Sequence, residues 1–279
     1  MMFDRGIELK TPEQITTMRA AGLVVGRTLE LLRREVRAGM TTAELDAMAH
    51  EHIRSQGATS NFLGYGAHGP AGAGGFAGVI CTSVNDEVVH GVPGSRVLRD
   101  GDIISIDCGA IVDGWHGDAA ITVAIGGVPP EVSALLEVTE DSMWAGIAAA
   151  ALGGRVGDIS HAIETAVDAA GDFGIVEGYT GHGIGSQMHQ PPDVPNYGKP
   201  RRGPKLVQGL ALAVEPMVTL GSAATRTLAD DWTVVTNDGS WAAHFENTFT
   251  LTPTGTWVLT ALDGGRERLA ALGVPYGGH

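Results

Sequence analysis

Apolar residues three and four apart open the chain: Ile15, Met18, Gly22, Val25, Leu29, Leu32 and Val36 fall on one stripe. Thr11-Pro12-Glu13-Gln14 precedes them, supplying an N-cap, a proline at the first helical position and the N3 glutamine of a capping box, so a long first helix is predicted. Thr41 with Glu44 starts a second helix in the same way; it buries Leu45, Met48, His52 and Ile53 along one side and stops at Gly57. A third follows Pro129 and Pro130 and runs to about Leu152. The fourth is capped by Asp158, turns Ile159, Ile163 and Val167 inward and ends at Gly171.

Strands are predicted at about 77–83, 102–109, 115–125, 209–220 and 244–252. Asp113-Gly114 joins the second and third as a two-residue hairpin. With those two residues as the loop, Asp107 faces Ala120 and Gly109 faces Asp118. Side chains alternate faces, so Asp107 and Asp118 project from the same face as diagonal neighbours, their α-carbons roughly 7–8 Å apart. Helices mixed with antiparallel strands make an α+β fold. Each half, about 1–128 and 129–260, reads as helices plus an antiparallel sheet, followed by a short tail over 261–279. No internal repeat or low-complexity linker divides the chain, so 1–279 is expected to form one domain.

Composition narrows the class. Apolar residues make up 43% of the 279, enough to fill a core, and 41 glycines imply tight turns and close backbone approaches. A formal net charge of -14 opposes binding to nucleic acid or anionic membrane over any broad surface. Lys199, Arg201, Arg202 and Lys205 form a basic cluster, read first as a solvated loop, with contact to ribosomal RNA near an emerging chain as the alternative. Two cysteines, Cys81 and Cys108, give neither a disulfide framework nor a CxxC zinc site. The first ten residues hold no apolar stretch of signal-peptide length and no later run approaches a membrane span, so the chain is read as unprocessed, soluble and cytoplasmic.

Candidate chemistry gathers on acidic residues and histidines. Two aspartates on a buried hairpin face raise each other's pKa unless a cation keeps both ionised, although the pair suits a solvent-facing polar edge equally well. Gly181-His182-Gly183-Ile184-Gly185 sets a histidine among glycines whose missing side chains leave room for a metal or substrate. It is not a dinucleotide loop, because no acidic residue about twenty positions on follows a second strand. Glu215 alternates with Leu210, Leu212 and Val214 and so stands off their face, and Glu246 shares a strand face with His244 and Thr248. Either glutamate alone is more ordinarily a salt-bridged or exposed carboxylate. Together, Asp107, Asp118, His182, Glu215 and Glu246 supply one imidazole and four carboxylates, which suits paired divalent first-row ions with an open position for water. His50-Glu51-His52 lacks HExxH spacing and is read as helix surface.

Several stretches together resemble the type I methionine aminopeptidases of the bacterial short form, in peptidase family M24. They are Cys81 to Pro93 (CTSVNDEVVHGVP), Ile104-Ser-Ile-Asp107, His116-Gly-Asp118, Gly181 to Gly185 with His189, Val214-Glu215-Pro-Met217 and His244-Phe-Glu246. The resemblance spans about Ile7 to Leu251. It implies a pita-bread fold, two pseudo-symmetric halves whose curved antiparallel sheet, flanked by helices, holds a dinuclear centre. By the same resemblance Asp107, Asp118, His182, Glu215 and Glu246 hold two divalent ions of cobalt, manganese, iron, nickel or zinc. His90 and His189 then contact substrate and stabilise the tetrahedral intermediate, Glu215 carries the proton, and Phe62, Tyr65, Phe76, Cys81, Met188 and Trp232 line the methionine pocket. The implied reaction is attack by metal-activated hydroxide on the first peptide bond of peptides and nascent proteins that begin with Met and a small second residue. A monomer without DNA or membrane partners, making at most transient ribosome contact, is expected to perform it.

The chain departs from the family in two places. Between Tyr65 and Cys81, including Gly69 to Gly78, it is longer and richer in glycine, which bears on the pocket rim and on Phe76. Asn247 stands where the family commonly has histidine, and strand alternation turns it away from Glu246. Two other readings are a pita-bread peptidase for proline-containing substrates, which usually carries an extra N-terminal domain, and a metal-free binding protein, which would have lost ligands.

Overall fold

A computed structural model describes residues 6–67 and 74–279; the stretch 69–73 of the glycine-rich run lies outside them. The chain runs through α1 (Pro12–Glu35), α2 (Thr42–Ser55), β1 (Thr59–Ser60), β2 (Ile80–Val84), β3 (Glu87–Val89), β4 (Ile103–Val112), β5 (Trp115–Ala124), α3 (Pro130–Ala149) and α4 (Val156–Ala170). There follow β6 (Gly174–Ile175), β7 (Gly181–Gly183), β8 (Gln190–Val194), β9 (Ala211–Val214), β10 (Met217–Thr219), β11 (Thr225–Thr227), β12 (Val234–Thr236), β13 (Ala242–His244), β14 (Glu246–Thr252), β15 (Gly255–Val258) and α5 (Arg266–Ala271).

Local signals decide the helix starts. Thr11 Oγ1 accepts from Gln14 N at 3.3 Å while Gln14 Oε1 accepts from Thr11 N at 2.8 Å, and Thr41 with Glu44 repeats the exchange at 3.2 and 2.7 Å. The fourth helix begins earlier than predicted. Its N-cap is Arg155, and Asp158 stands at N3, reaching back to accept from Arg155 N at 2.8 Å. Asp158 thus supplies the returning half of a capping box, not the cap itself.

The hairpin forms as expected. Asp113 (φ 48) and Gly114 (φ 79) both take the positive φ of a type I′ turn. Asp107 pairs with Ala120 and Gly109 with Asp118. Among the described residues nine strands make one antiparallel sheet in the order β1-β4-β5-β14-β9-β7-β8, with β2 on β4 and β15 on β14. It curls into a half-barrel flanked by helices.

Two predicted strands are broken where the sheet changes course. The run over 209–220 divides at Glu215-Pro216 into β9 and β10, and the run over 244–252 divides at Phe245 into β13 and β14. Pro216 has no N–H to give a ladder. The breaks lie side by side: β9 pairs β14 through Val214 and Asn247, whereas β10 pairs β13 through Met217 and His244. Both chains therefore leave the large sheet together and enter the three-stranded sheet β13-β10-β6.

The core sits between helices and sheet. Val25, Leu29 and Leu32 of α1 pack with Leu45 and Ile53 of α2 and with Ile104 and Ile106 of β4, each buried side chain contributing about 1.5–3 kcal/mol. Met143, Ile147, Ile159 and Ile163 of α3 and α4 cover Leu212 and Phe249. α1 crosses closely over β5 and the residue that follows β15: a Cβ on Gly117 would stand 2.8 Å from Gly22 N, and one on Gly22 2.1 Å from Leu259 O. The tail folds back, with Leu269 buried and Tyr276 bridged to Thr256. No helix among the described residues is long and apolar enough to cross a membrane.

Candidate metal centre and substrate pocket

Strand order brings distant acids together. Ala120 pairs with Asp107 on one side and with Glu246 on the other, which lines up three neighbouring strands at the centre of the half-barrel. His182 pairs with Ala213 two residues before Glu215. The donor atoms of Asp118, His182 and Glu246 all lie within 4.8 Å of one another, and His182 Nε2 is 3.5 Å from Glu215 Oε1. Gly181 and Gly183 serve a different purpose from the one expected. A Cβ there would stand 2.3 Å from Ala213 O and 2.2 Å from Pro191 O, so their bareness admits adjoining backbone, not a metal or substrate.

Electrostatics favours a cation at this place. Burial pushes the Asp107 carboxyl up to about 7, against a hydrogen bond from its neighbour's backbone, Cys108. Burial raises Asp118, Glu215 and Glu246 well above the carboxylate range, and their mutual charges add to it. Asp107 Oδ1, Asp118 Oδ1 and Glu246 Oε1 are sealed from solvent with no hydrogen-bond partner. Burial lowers His182 to about 3, keeping it neutral, and its Nδ1–H donates to Gly183 O at 3.0 Å, which leaves the Nε2 lone pair facing the acids. Orphaned carboxylate oxygens beside a neutral imidazole fit a divalent ion, and Asp107, Asp118, His182, Glu215 and Glu246 could hold it.

One cavity of about 110 Å³ is lined by these five residues, by His90 and His189, and by Phe62, Tyr65, Phe76, Cys81, Met188 and Trp232. All the residues expected at the site meet there. Phe62, Phe76, Cys81 and Met188 are buried, and Phe76 meets Phe62 and Trp232 edge to face, with ring centroids 6.4 and 5.3 Å apart. The insertion does not displace Phe76: its N–H donates to Tyr65 O at 2.9 Å and its carbonyl accepts from Gly64 N at 2.8 Å, so the chain is clasped on either side. Tyr65 Oη lies 2.6 Å from His189 Nδ1. His90 takes φ 60, a strained value for a non-glycine residue, and burial lowers it to about 4.

Other candidates fall elsewhere. Asn247 points off the cavity, its Oδ1 accepting from Thr260 Oγ1 at 2.7 Å. His50 is exposed, whereas His52, which the helix stripe put on the buried side and the absence of HExxH spacing put at the surface, is half-buried with Nδ1 2.9 Å from Thr28 Oγ1 of α1. Lys199, Arg201, Arg202 and Lys205 are exposed between β8 and β9. Two neighbours of the site were not foreseen. Tyr179 packs edge to face on His90 at 5.6 Å, and no sequence signal marks it. His244 Nε2 lies 3.7 Å from Glu215 Oε2; its place two residues before Glu246, on the same strand face, was the available signal.

A curled half-barrel with carboxylates and a histidine around one cavity defines a pita-bread metallohydrolase. The chain belongs to metallopeptidase family M24, whose model matches residues 16–253. A methionine aminopeptidase of Clostridium acetobutylicum is 49% identical over 255 residues, covering 91% of this chain and 98% of that protein. The solved structure of a methionine aminopeptidase from Thermotoga maritima is similar with a TM-score of 0.86 and 38% identity, covering 91% of this chain and 99% of that one. An Xaa-Pro dipeptidase from Bacillus anthracis shares the fold at a TM-score of 0.69 and 20% identity, covering 90% of this chain but 61% of its own.

Proposed function

We propose that the chain is a methionine aminopeptidase, hydrolysing the first peptide bond of peptides and nascent proteins that begin with methionine and a small second residue. One observation carries this reading: five metal-type donors, two further histidines and an apolar, sulfur-containing wall share a single cavity. The relatives that match nearly the whole chain and bear that name support it.

Asp107, Asp118, His182, Glu215 and Glu246 hold two divalent ions, which ligand chemistry restricts to manganese, iron, cobalt, nickel or zinc. When bound, such ions supply Lewis acidity and a water that ionises near neutral pH. The protein does the rest. The pocket of Phe62, Tyr65, Phe76, Cys81, Met188 and Trp232 grips the methionine side chain through polarizable contacts and sets the scissile carbonyl against the donors. Tyr65 Oη lies 2.6 Å from His189 Nδ1; in this proposal the tyrosine hydroxyl is the donor, which leaves His189 Nε2–H to face the cavity and donate to the developing oxyanion. His90, kept neutral by burial, orients the same end of the substrate. A Glu215 oxygen takes the proton released during attack and delivers it to the leaving amine.

Comparing Met-Ala-Ser with Leu-Ala-Ser, before and after chelation and with each metal restored, tests the assignment. Methionine release should exceed leucine release by at least roughly 10-fold, the range one pocket can discriminate, and vanish on chelation. Inert Met-Ala-Ser with rapid cleavage of proline-linked substrates would replace the reading with the prolyl one. The chain acts as a cytoplasmic monomer in this proposal. Any ribosome contact uses the Lys199 to Lys205 loop, and salt-insensitive cosedimentation unaffected by charge reversal there would dismiss it.

A further inference from the structure

His244 belongs to neither the ligand set nor the pocket wall. β13 ends on it and β14 begins at Glu246, so the break at Phe245 leaves it opposite Met217, the first residue beyond the matching break at Glu215 and Pro216. The residue is 2% exposed, and its Nε2 is sealed from solvent without a hydrogen-bond partner. That nitrogen stands 3.7 Å from Glu215 Oε2, while His182 Nε2 stands 3.5 Å from Glu215 Oε1. The Glu215 carboxylate thus lies between two imidazoles, one beside each oxygen.

The backbone under His244 is fixed. Its N–H donates to Thr122 Oγ1 at 2.9 Å, the same hydroxyl donates to its carbonyl at 2.8 Å, and Ser105 Oγ lies 2.9 Å from that hydroxyl. A ring carried on so restrained a residue has little freedom except about its own side-chain torsions. Closing the 3.7 Å approach to an ordinary N–H···O distance needs a shift of roughly 0.5–1 Å.

We infer that His244 is a positioning residue for Glu215: its Nε2–H donates to Glu215 Oε2 and holds the carboxylate with Oε1 directed into the cavity. The inference rests on the proposed reading of Glu215 as a ligand. Partners of this kind orient ligating carboxylates, and without them the site binds its ions less tightly.

His244→Gln and His244→Met test it, because the two side chains are alike in length and only the amide can donate. Parent and variants, stripped of metal, are titrated with Co²⁺ by calorimetry and their visible Co²⁺ spectra recorded. His244→Met should weaken binding by roughly 10–100-fold and shift the spectrum, while His244→Gln stays within about threefold of the parent. Parent-like binding by the methionine variant, or equal losses in both variants, overturns the role and leaves His244 a packing residue. Should the methionine variant not fold, ¹⁵N spectra of the metal-loaded parent decide: a protonated His244 Nε2 is expected, and an unprotonated one overturns the inference. The parent also separates the two readings. A parent that neither binds Co²⁺ nor hydrolyses Met-Ala-Ser removes the proposed function, whereas an active parent with indistinguishable variants removes only the role of His244.

Discussion

Asn247 and Glu246 are adjacent and face opposite ways, one towards Thr260 and the other into the cavity. Asn247→His should therefore keep the parent's metal stoichiometry, and an ion lost from the variant, counted by elemental analysis, would refute this. The lost acceptor for Thr260 Oγ1 should lower stability by about 0.5–1.5 kcal/mol, measured by denaturant unfolding. At this scale much was legible. The Asp113-Gly114 turn alone fixed which residues of β4 and β5 oppose each other, and hence that Asp107 and Asp118 share a face. The glycines around His182 misled, because their crowding comes from Ala213 and Pro191, and only the strand order brings those carbonyls near.

Among the elements, the segment leading into α1 acts at a distance from its own helix. Glu8 Oε2 accepts from Ser186 N at 3.0 Å and from Gln190 Nε2 at 3.0 Å, its Oε1 accepts from Ser186 Oγ at 2.7 Å, and Lys10 Nζ lies 3.5 Å away. The turn so clasped carries Met188 and His189 to the cavity. Glu8→Ala should raise KM for Met-Ala-Ser several-fold while metal stoichiometry stays the same, and an unaltered KM would dismiss the clasp. Gly22→Ala acts on the fold instead. Its Cβ would meet Leu259 O at 2.1 Å, and backbone cannot swing aside as a side chain does, so a loss of about 1–3 kcal/mol or more is expected in denaturant unfolding. A variant as stable as the parent would show that α1 can rise off the sheet freely. Helices were legible because their caps and stripes are local. The kinks at Pro216 and Phe245 were not: each strand's alternation continues through its break, and only the pairing with β13 and β14 shows why the chain must turn there.

Across the whole molecule, the buried acids tie stability to pH and to metal. In the metal-free protein Asp107 is raised to about 7 by burial, and Asp118, Glu215 and Glu246 are raised well above their usual range. The folded state then binds more protons than the unfolded chain. The stability these groups contribute is full below their unfolded values near pH 4 and is lost as pH rises through 7 and beyond. Histidines work in the opposite sense, because burial lowers His90 to about 4 and His182 and His244 to about 3. Below about pH 6.5 the unfolded chain charges its histidines while the fold does not, so acid destabilises through them; above that value they are neutral in both states. Lys10, lowered to about 8 by burial, favours the fold only as pH rises beyond 8. Between about pH 6.5 and 8 the carboxylates therefore stand alone, and each proton of difference is worth about 1.4 kcal/mol per pH unit. Ionised carboxylates are also what a divalent ion needs, so its affinity rises across the same window. The Tm of chelated protein should fall from pH 6.5 to 8, and the increase in Tm produced by saturating Mn²⁺ should grow over that span. A chelated Tm that is flat or rising there, or a metal-induced increase that shrinks towards pH 8, would show that these four acids do not govern the stability of the fold.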